Sequence, residues 1–215
     1  MKPGTPRSRE LTLDVDGTRL HVVIQRKAVK NVNARLAGSE LRVSAPAAVP
    51  DDVLEPVVRD LARKLLRRVE ARRINGQTDA LALARRVAAR FPEPPAVRQV
   101  LFVTTQSARW GSYSAATRTV RLNAILLRMP SWVLESVVAH ELAHVFHLDH
   151  SPAFRELLRR VDPRADEAHA FLAGVSWLAR SWGSLPAAER RRLAGMAPGE
   201  GEGRGLSGGA DTGAS

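Results

Sequence analysis

The chain has no cysteine. That excludes disulfide scaffolds, thiolate nucleophiles, iron–sulfur clusters and cysteine-ligated zinc, and it is the usage expected in a reducing compartment. Nor is there an apolar run near the roughly 18 residues a membrane span needs; the longest are of the AILL and VV kind. The opening MKPGTPRSRELTLDV lacks the apolar stretch of a secretory signal. Together these absences predict a cytoplasmic protein that crosses no membrane. Lysine is scarce too, supplying 4 of the 33 basic residues, the bias of a GC-rich coding sequence. That bias does not account for the net charge of +11, which favours DNA or another polyanion at a basic surface. With 215 residues, 44% of them hydrophobic, the chain can bury the core of one domain with appendages.

The patterning predicts the organisation. Leu11, Leu13 and Val15 alternate up to an Asp16-Gly17 turn, and Leu20, Val22 and Ile24 resume beyond it. Residues 32–36 and 41–44 form a weaker pair around Gly38-Ser39. From Asp52 the period becomes helical. An apolar stripe runs through Val53, Leu54, Val57, Val58, Leu61, Leu65, Leu66 and Val69, with Asp52 and Glu55 as a capping box and Arg59 to Arg73 on the other face. Asn75-Gly76 should stop this helix and Thr78 cap the next. Two strands, 100–105 and 119–123, flank the loop QSARWGSYSAATR. Ser131 should cap an apolar helix, and Ser151-Pro152 should open another. The expected divisions are a disordered 1–9, a β-hairpin region at 10–50, a helical catalytic region at 51–183, a terminal helix at 184–194 and a disordered Gly-rich tail at 195–215.

The residues that carry chemistry are His140, Glu141, His144 and His150. Positions four apart share a helix face, so His140 and His144 can bind one zinc ion while Glu141, about 100° round the helix, serves as general base to its water. Catalytic zinc takes three protein ligands and leaves one position open. His147 shares the face but lies about 10 Å along the axis from His140. A chain that turns after His147 brings His150 back instead. His150 is therefore the first candidate for third ligand, His147 the second, and Asp149, Asp162 and His169 are outsiders. Against a purely polar helix stands the apolar setting VVAHELAHVF, where unpaired imidazoles and a carboxylate are costly. A structural zinc site would not require Glu141 beside a ligand.

ARWGSYS, VRLN and AHELAHVFHLDHSPAF resemble the YgjP-like metallopeptidases, relatives of the SprT and Wss1-like zinc proteases. The likeness is dense from about residue 106 to 154. It implies an α+β, zincin-like fold: a small antiparallel sheet packed on helices, with an HExxH metal helix. It also implies Zn2+ on His140, His144 and His150, with Ser151 and Phe154 following, and a zinc metallopeptidase that hydrolyses peptide bonds through a metal-bound water activated by Glu141. Tyr113 stands where that family has cysteine. It either packs or steadies an oxyanion. Arg109 either binds a substrate carbonyl or pairs with an acid, and Trp110 is expected in the core. Asn123 and His147 are further candidate substrate or oxyanion contacts, and the strand at 120–123 is a candidate edge for an extended peptide. The partner expected is a polypeptide substrate. Two alternatives are a SprT/Wss1-like protease acting on DNA-bound proteins and a metal-binding interaction protein without turnover. Oligomeric state is open.

Overall fold

The computed structural model describes residues 8–106 and 108–195. The chain divides into two units, one ending at His169 and one beginning at Ala170.

The first unit holds two sheets and most of the helices. Strands β1 (Ser8–Val15) and β2 (Thr18–Lys27) form the expected hairpin, its turn made by Asp16 and Gly17 at φ of 51° and 80°. Strands β3 (Asn33–Ala37) and β4 (Glu40–Pro46) form the second pair, around Gly38. The two hairpins join by a parallel pairing of β2 with β4, His21 opposite Glu40, so the order is β1-β2-β4-β3. Alternation puts Leu13, Val15, Leu20, Val22, Ile24, Leu41, Val43 and Ala45 on one face, in a common core with Leu54, Val58 and Ala62 of helix α1 (Asp51–Gln77).

Helix α1 departs from its predicted ends. Asp52 and Glu55 make no capping box: Pro50 is the N-cap, without a side-chain hydrogen bond. Asp51 instead pairs with Arg26 and, at 2.6 Å, with Arg9. Asn75-Gly76 does not stop the helix, because the Asn75 amide finds partners on a neighbouring strand, β5 (Gln99–Val103). Its Nδ2 donates to the Phe102 carbonyl at 2.8 Å and its Oδ1 accepts from the Phe102 N–H at 2.9 Å. The expected stripe is only part buried, with Val53, Val57 and Val69 exposed. Asp79, not Thr78, caps helix α2 (Ala80–Ala88), accepting from the Ala82 N–H at 2.8 Å.

The second sheet comprises β5, β6 (Gly111–Ser114) and β7 (Thr119–Asn123) in the order β5-β7-β6, β5 parallel and β6 antiparallel to β7. Both sheets are thus mixed rather than antiparallel, within the α+β class the sequence suggested. The stretch at 120–123 is the central strand, paired on both sides, and cannot receive a peptide at its edge; that edge belongs to β6. Trp110, expected in the core, is half-buried.

A short 3-10 helix (Ala124–Arg128) leads to α3 (Ser131–Ala143), capped at Pro130 rather than Ser131. It is apolar almost all round, with Val133, Val137, Val138, Ala139, Leu142 and Ala143 buried. Helix α4 (Pro152–Val161) starts as predicted, the Ser151 side chain accepting from the Phe154 N–H at 3.4 Å. Helix α5 (Ala165–Ser181) runs into the second unit, which also contains α6 (Ala187–Gly195). No helix of the described residues is long and apolar enough to cross a membrane. The disorder expected for 1–9 and 195–215 falls on residues outside those described, save that Ser8 and Arg9 open β1 and Gly195 closes α6.

Candidate metal centre

Helix α3 delivers His140 and Glu141 from its last turn, and the backbone tightens at once. Helical structure ends at Ala143, with His144 as C-cap, and the Val145, Phe146 and His147 N–H groups donate to Leu142, Ala143 and Ala143 carbonyls. The turn therefore comes four residues before the one foreseen after His147. It carries the chain round so that His150, ahead of the Ser151 cap, meets the pair on α3.

The three imidazoles converge. Nε2 of His150 and Nε2 of His140 are 3.0 Å apart, and one ring nitrogen from each of His140, His144 and His150 lies within 4.8 Å of the others. Tetrahedral ligands at 2.0–2.1 Å from a zinc ion stand about 3.3 Å from one another. His144 Nδ1 donates to the His147 carbonyl at 2.9 Å, which fixes the ring and leaves its Nε2 for the shared space. Burial pushes the His140 imidazole down to about 4, and burial also lowers His144. Both rings are thus neutral at pH 7, the form that offers a lone pair. The ring of Phe154 packs against all three imidazoles, centroid to centroid 5.0, 4.7 and 4.9 Å from His140, His144 and His150. Three converging imidazoles, two of them held neutral by burial, on an apolar floor fit a divalent cation.

Glu141 is 5% exposed. Burial raises its carboxyl to about 7, opposed by the Tyr113 backbone N–H, which donates to it, and by the nearby Arg109 guanidinium. A group titrating near neutrality suits proton transfer. Its place is set by β6: a Cβ built on Gly111 would meet Glu141 Oε1 at 2.5 Å, so only glycine lets the strand lie this close. Sequence reasoning missed both Gly111 and β6. The one signal was a glycine following Trp110 in a segment too poor in branched apolar residues to read as a strand.

The other candidates separate. Tyr113 is half-buried and meets Glu141 through its backbone rather than its phenol. The Asn123 amide is used within the chain: Oδ1 accepts from the Ile125 N–H at 3.2 Å, and Nδ2 donates to the Gln106 carbonyl at 2.9 Å and the Arg109 carbonyl at 3.4 Å. It ties the loop before β6 to the end of β7. His147 lies outside the group of three and contributes its carbonyl. Asp149 accepts from the Ser151 N–H at 3.4 Å. Asp162 is buried and takes the Ser136 hydroxyl and the Arg164 N–H. His169 is exposed and lies outside the group of three. Gln106 Oε1 is buried with no hydrogen-bond partner among the described residues.

Three comparisons with known proteins bear on this site. No curated protein matches the chain. Among solved structures, the zymogen of the metallopeptidase jannalysin from Methanocaldococcus jannaschii is 19% identical, with a TM-score of 0.38 over 45% of this chain and 96% of that one. The family model described as YgjP-like, metallopeptidase domain, matches residues 80–174. That span runs from α2 into α5, taking in β6, Glu141 and the three imidazoles. The part of the chain that builds the metal centre is thus similar to the YgjP-like metallopeptidase domain, the family its motifs resemble.

Proposed function

We propose that the chain is a zinc-dependent peptidase in which His140, His144 and His150 hold the ion and Glu141 is the general base and acid. The observation that supports this most is a buried carboxyl, pushed up to about 7, next in sequence to the first of three converging imidazoles. Zinc, favoured by imidazole donors, would when bound polarise the scissile carbonyl and make water more acidic. Glu141 takes a proton from the attacking water as its oxygen bonds to the carbonyl carbon. It then delivers that proton to the leaving nitrogen as the C–N bond breaks. The Tyr113 N–H holds the carboxylate in line, the His147 carbonyl fixes the His144 ring, and Phe154 keeps water from beneath the imidazoles.

An extended polypeptide fits as an added strand on β6. Asn123 N–H bonds the Trp110 carbonyl at 2.8 Å, and Gly111 pairs with Leu122. In an antiparallel ladder hydrogen-bonded pairs alternate, so the polar backbone groups of Gly111 and Tyr113 point away from β7; the Tyr113 N–H goes to Glu141, which leaves the Gly111 groups and the Tyr113 carbonyl for a substrate strand. The test is metal analysis of the purified protein with hydrolysis of an unfolded protein, with and without single-stranded DNA. Glu141→Gln should keep the metal and lose activity by about a thousandfold. A variant that loses its metal instead makes Glu141 a ligand and sinks the assignment. DNA-stimulated cleavage would favour the DNA-associated alternative, and a metal-loaded but inert wild type the non-enzymatic one.

A further inference from the structure

Between Glu93 and Glu135 the chain has 41 consecutive residues without a single Asp or Glu, and they include Arg98, Arg109, Arg118, Arg121 and Arg128. This segment makes up all of β5, β6 and β7. None of the five arginines is in an ion pair among the described residues. The second sheet and the loops that join its strands therefore carry one sign of formal charge, and a field of one sign concentrates chains of the opposite sign. Two of the five face a carboxylate: Arg109 acts on Glu141, and Arg128 on Glu70, which is itself paired with Arg73.

Arg109 is the member of this set beside the reacting groups. It precedes by two residues the glycine that touches Glu141, its side chain is exposed, and its carbonyl is held by Asn123 Nδ2. An exposed guanidinium whose backbone carbonyl is tied to β7 can fork onto a carboxylate. A donor to a developing oxyanion, by contrast, has to be immobile and out of water, which an exposed loop arginine is not. Resting on the peptidase reading above, we propose that Arg109 sets the substrate class: polypeptide segments that bring an Asp or Glu side chain beside the scissile bond when they lie along β6.

The experiment compares end-blocked peptides, alike except for Glu, Gln or Lys flanking the scissile bond, on the metal-loaded protein. The Glu peptide should be cut with the highest kcat/KM, by about tenfold over Gln, and the advantage should shrink as salt rises from about 0.05 to 0.5 M. Arg109→Gln should remove the Glu advantage through KM. Arg109→Glu should turn the preference towards Lys, and Arg35→Gln, on the first sheet, should leave the ranking as it is. Equal cleavage of all three peptides by the wild type overturns the proposal. So does an Arg109→Gln loss of kcat that is the same for every peptide, which would mean that Arg109 acts on Glu141 or on a developing oxyanion rather than on a substrate side chain. If no peptide is cut, the peptidase reading fails, and fluorescence anisotropy of the same labelled peptides on Glu141→Gln protein decides the remainder. Arg109-dependent binding of the Glu peptide upholds the preference, and equal or absent binding ends it.

Discussion

The two sheets of the first unit obey the same alternation rule to different ends. In the first, every second residue is buried within each strand, Leu13 and Val15, then Leu20, Val22 and Ile24, then Leu41, Val43 and Ala45, and the helix packed on it supplies Leu54, Val58 and Ala62. In the second, the strands are of four or five residues, and one of them puts a bare glycine against a buried carboxyl. A side-chain oxygen nearby, Gln106 Oε1, is buried without a partner. The first sheet spends its regularity on stability, whereas the second departs from the pattern where reactive groups have to be held.

Substitutions that separate those two roles sharpen the contrast. His150→Ala should have the largest effect. Metal affinity should fall by more than the roughly 10–100-fold that loss of a supporting residue brings, while His147→Ala, which leaves the carbonyl on His144, should bind metal as before. Titration against a chelator reads both, and the reverse order would transfer the third ligand to His147. Gly111→Ala comes next. Its methyl falls 2.5 Å from Glu141 Oε1, and a displacement of about 1 Å in a reacting group costs on the order of a hundredfold in rate. Hydrolysis should drop by that much with the melting temperature little changed, and full activity would mean that Glu141 tolerates being moved.

The smallest effect belongs to the first sheet and should leave hydrolysis intact. The Arg26 guanidinium, with Arg9 beside it, holds the Asp51 carboxyl below its usual 3.8. A carboxylate lowered by folding stabilises the fold above its unfolded pKa, and that contribution is lost as pH falls through the folded one. Asp51→Asn should therefore lower the melting temperature slightly at pH 7, with the gap from wild type closing below about pH 3.8. A gap that persists in acid would assign the effect to packing.

How much the sequence discloses follows the same division. Both hairpins of the first sheet were legible because period-two burial and turn residues are local signals. The helix carrying His140 to His144 and the Ser151 cap were legible because their spacing is chemical as well as structural. The parallel pairing of β2 with β4 was not, since it joins strands with no shared turn. Strand β6 was not, because GSYS has no burial pattern of its own and is a strand by virtue of β7. Asn75 read as a helix stop because its amide partners lie on Phe102, 27 residues on.

Phe154 sits one turn into a helix whose start is fixed by the serine directly after His150. Floor, third imidazole and cap thus form one local piece of chain. Any ligand that binds only the native arrangement stabilises whatever it requires to be in place, so ion uptake and the seating of that helix are a single thermodynamic event. Protection of the Phe154 to Leu158 amides from solvent exchange would then report occupancy of the centre without any substrate present.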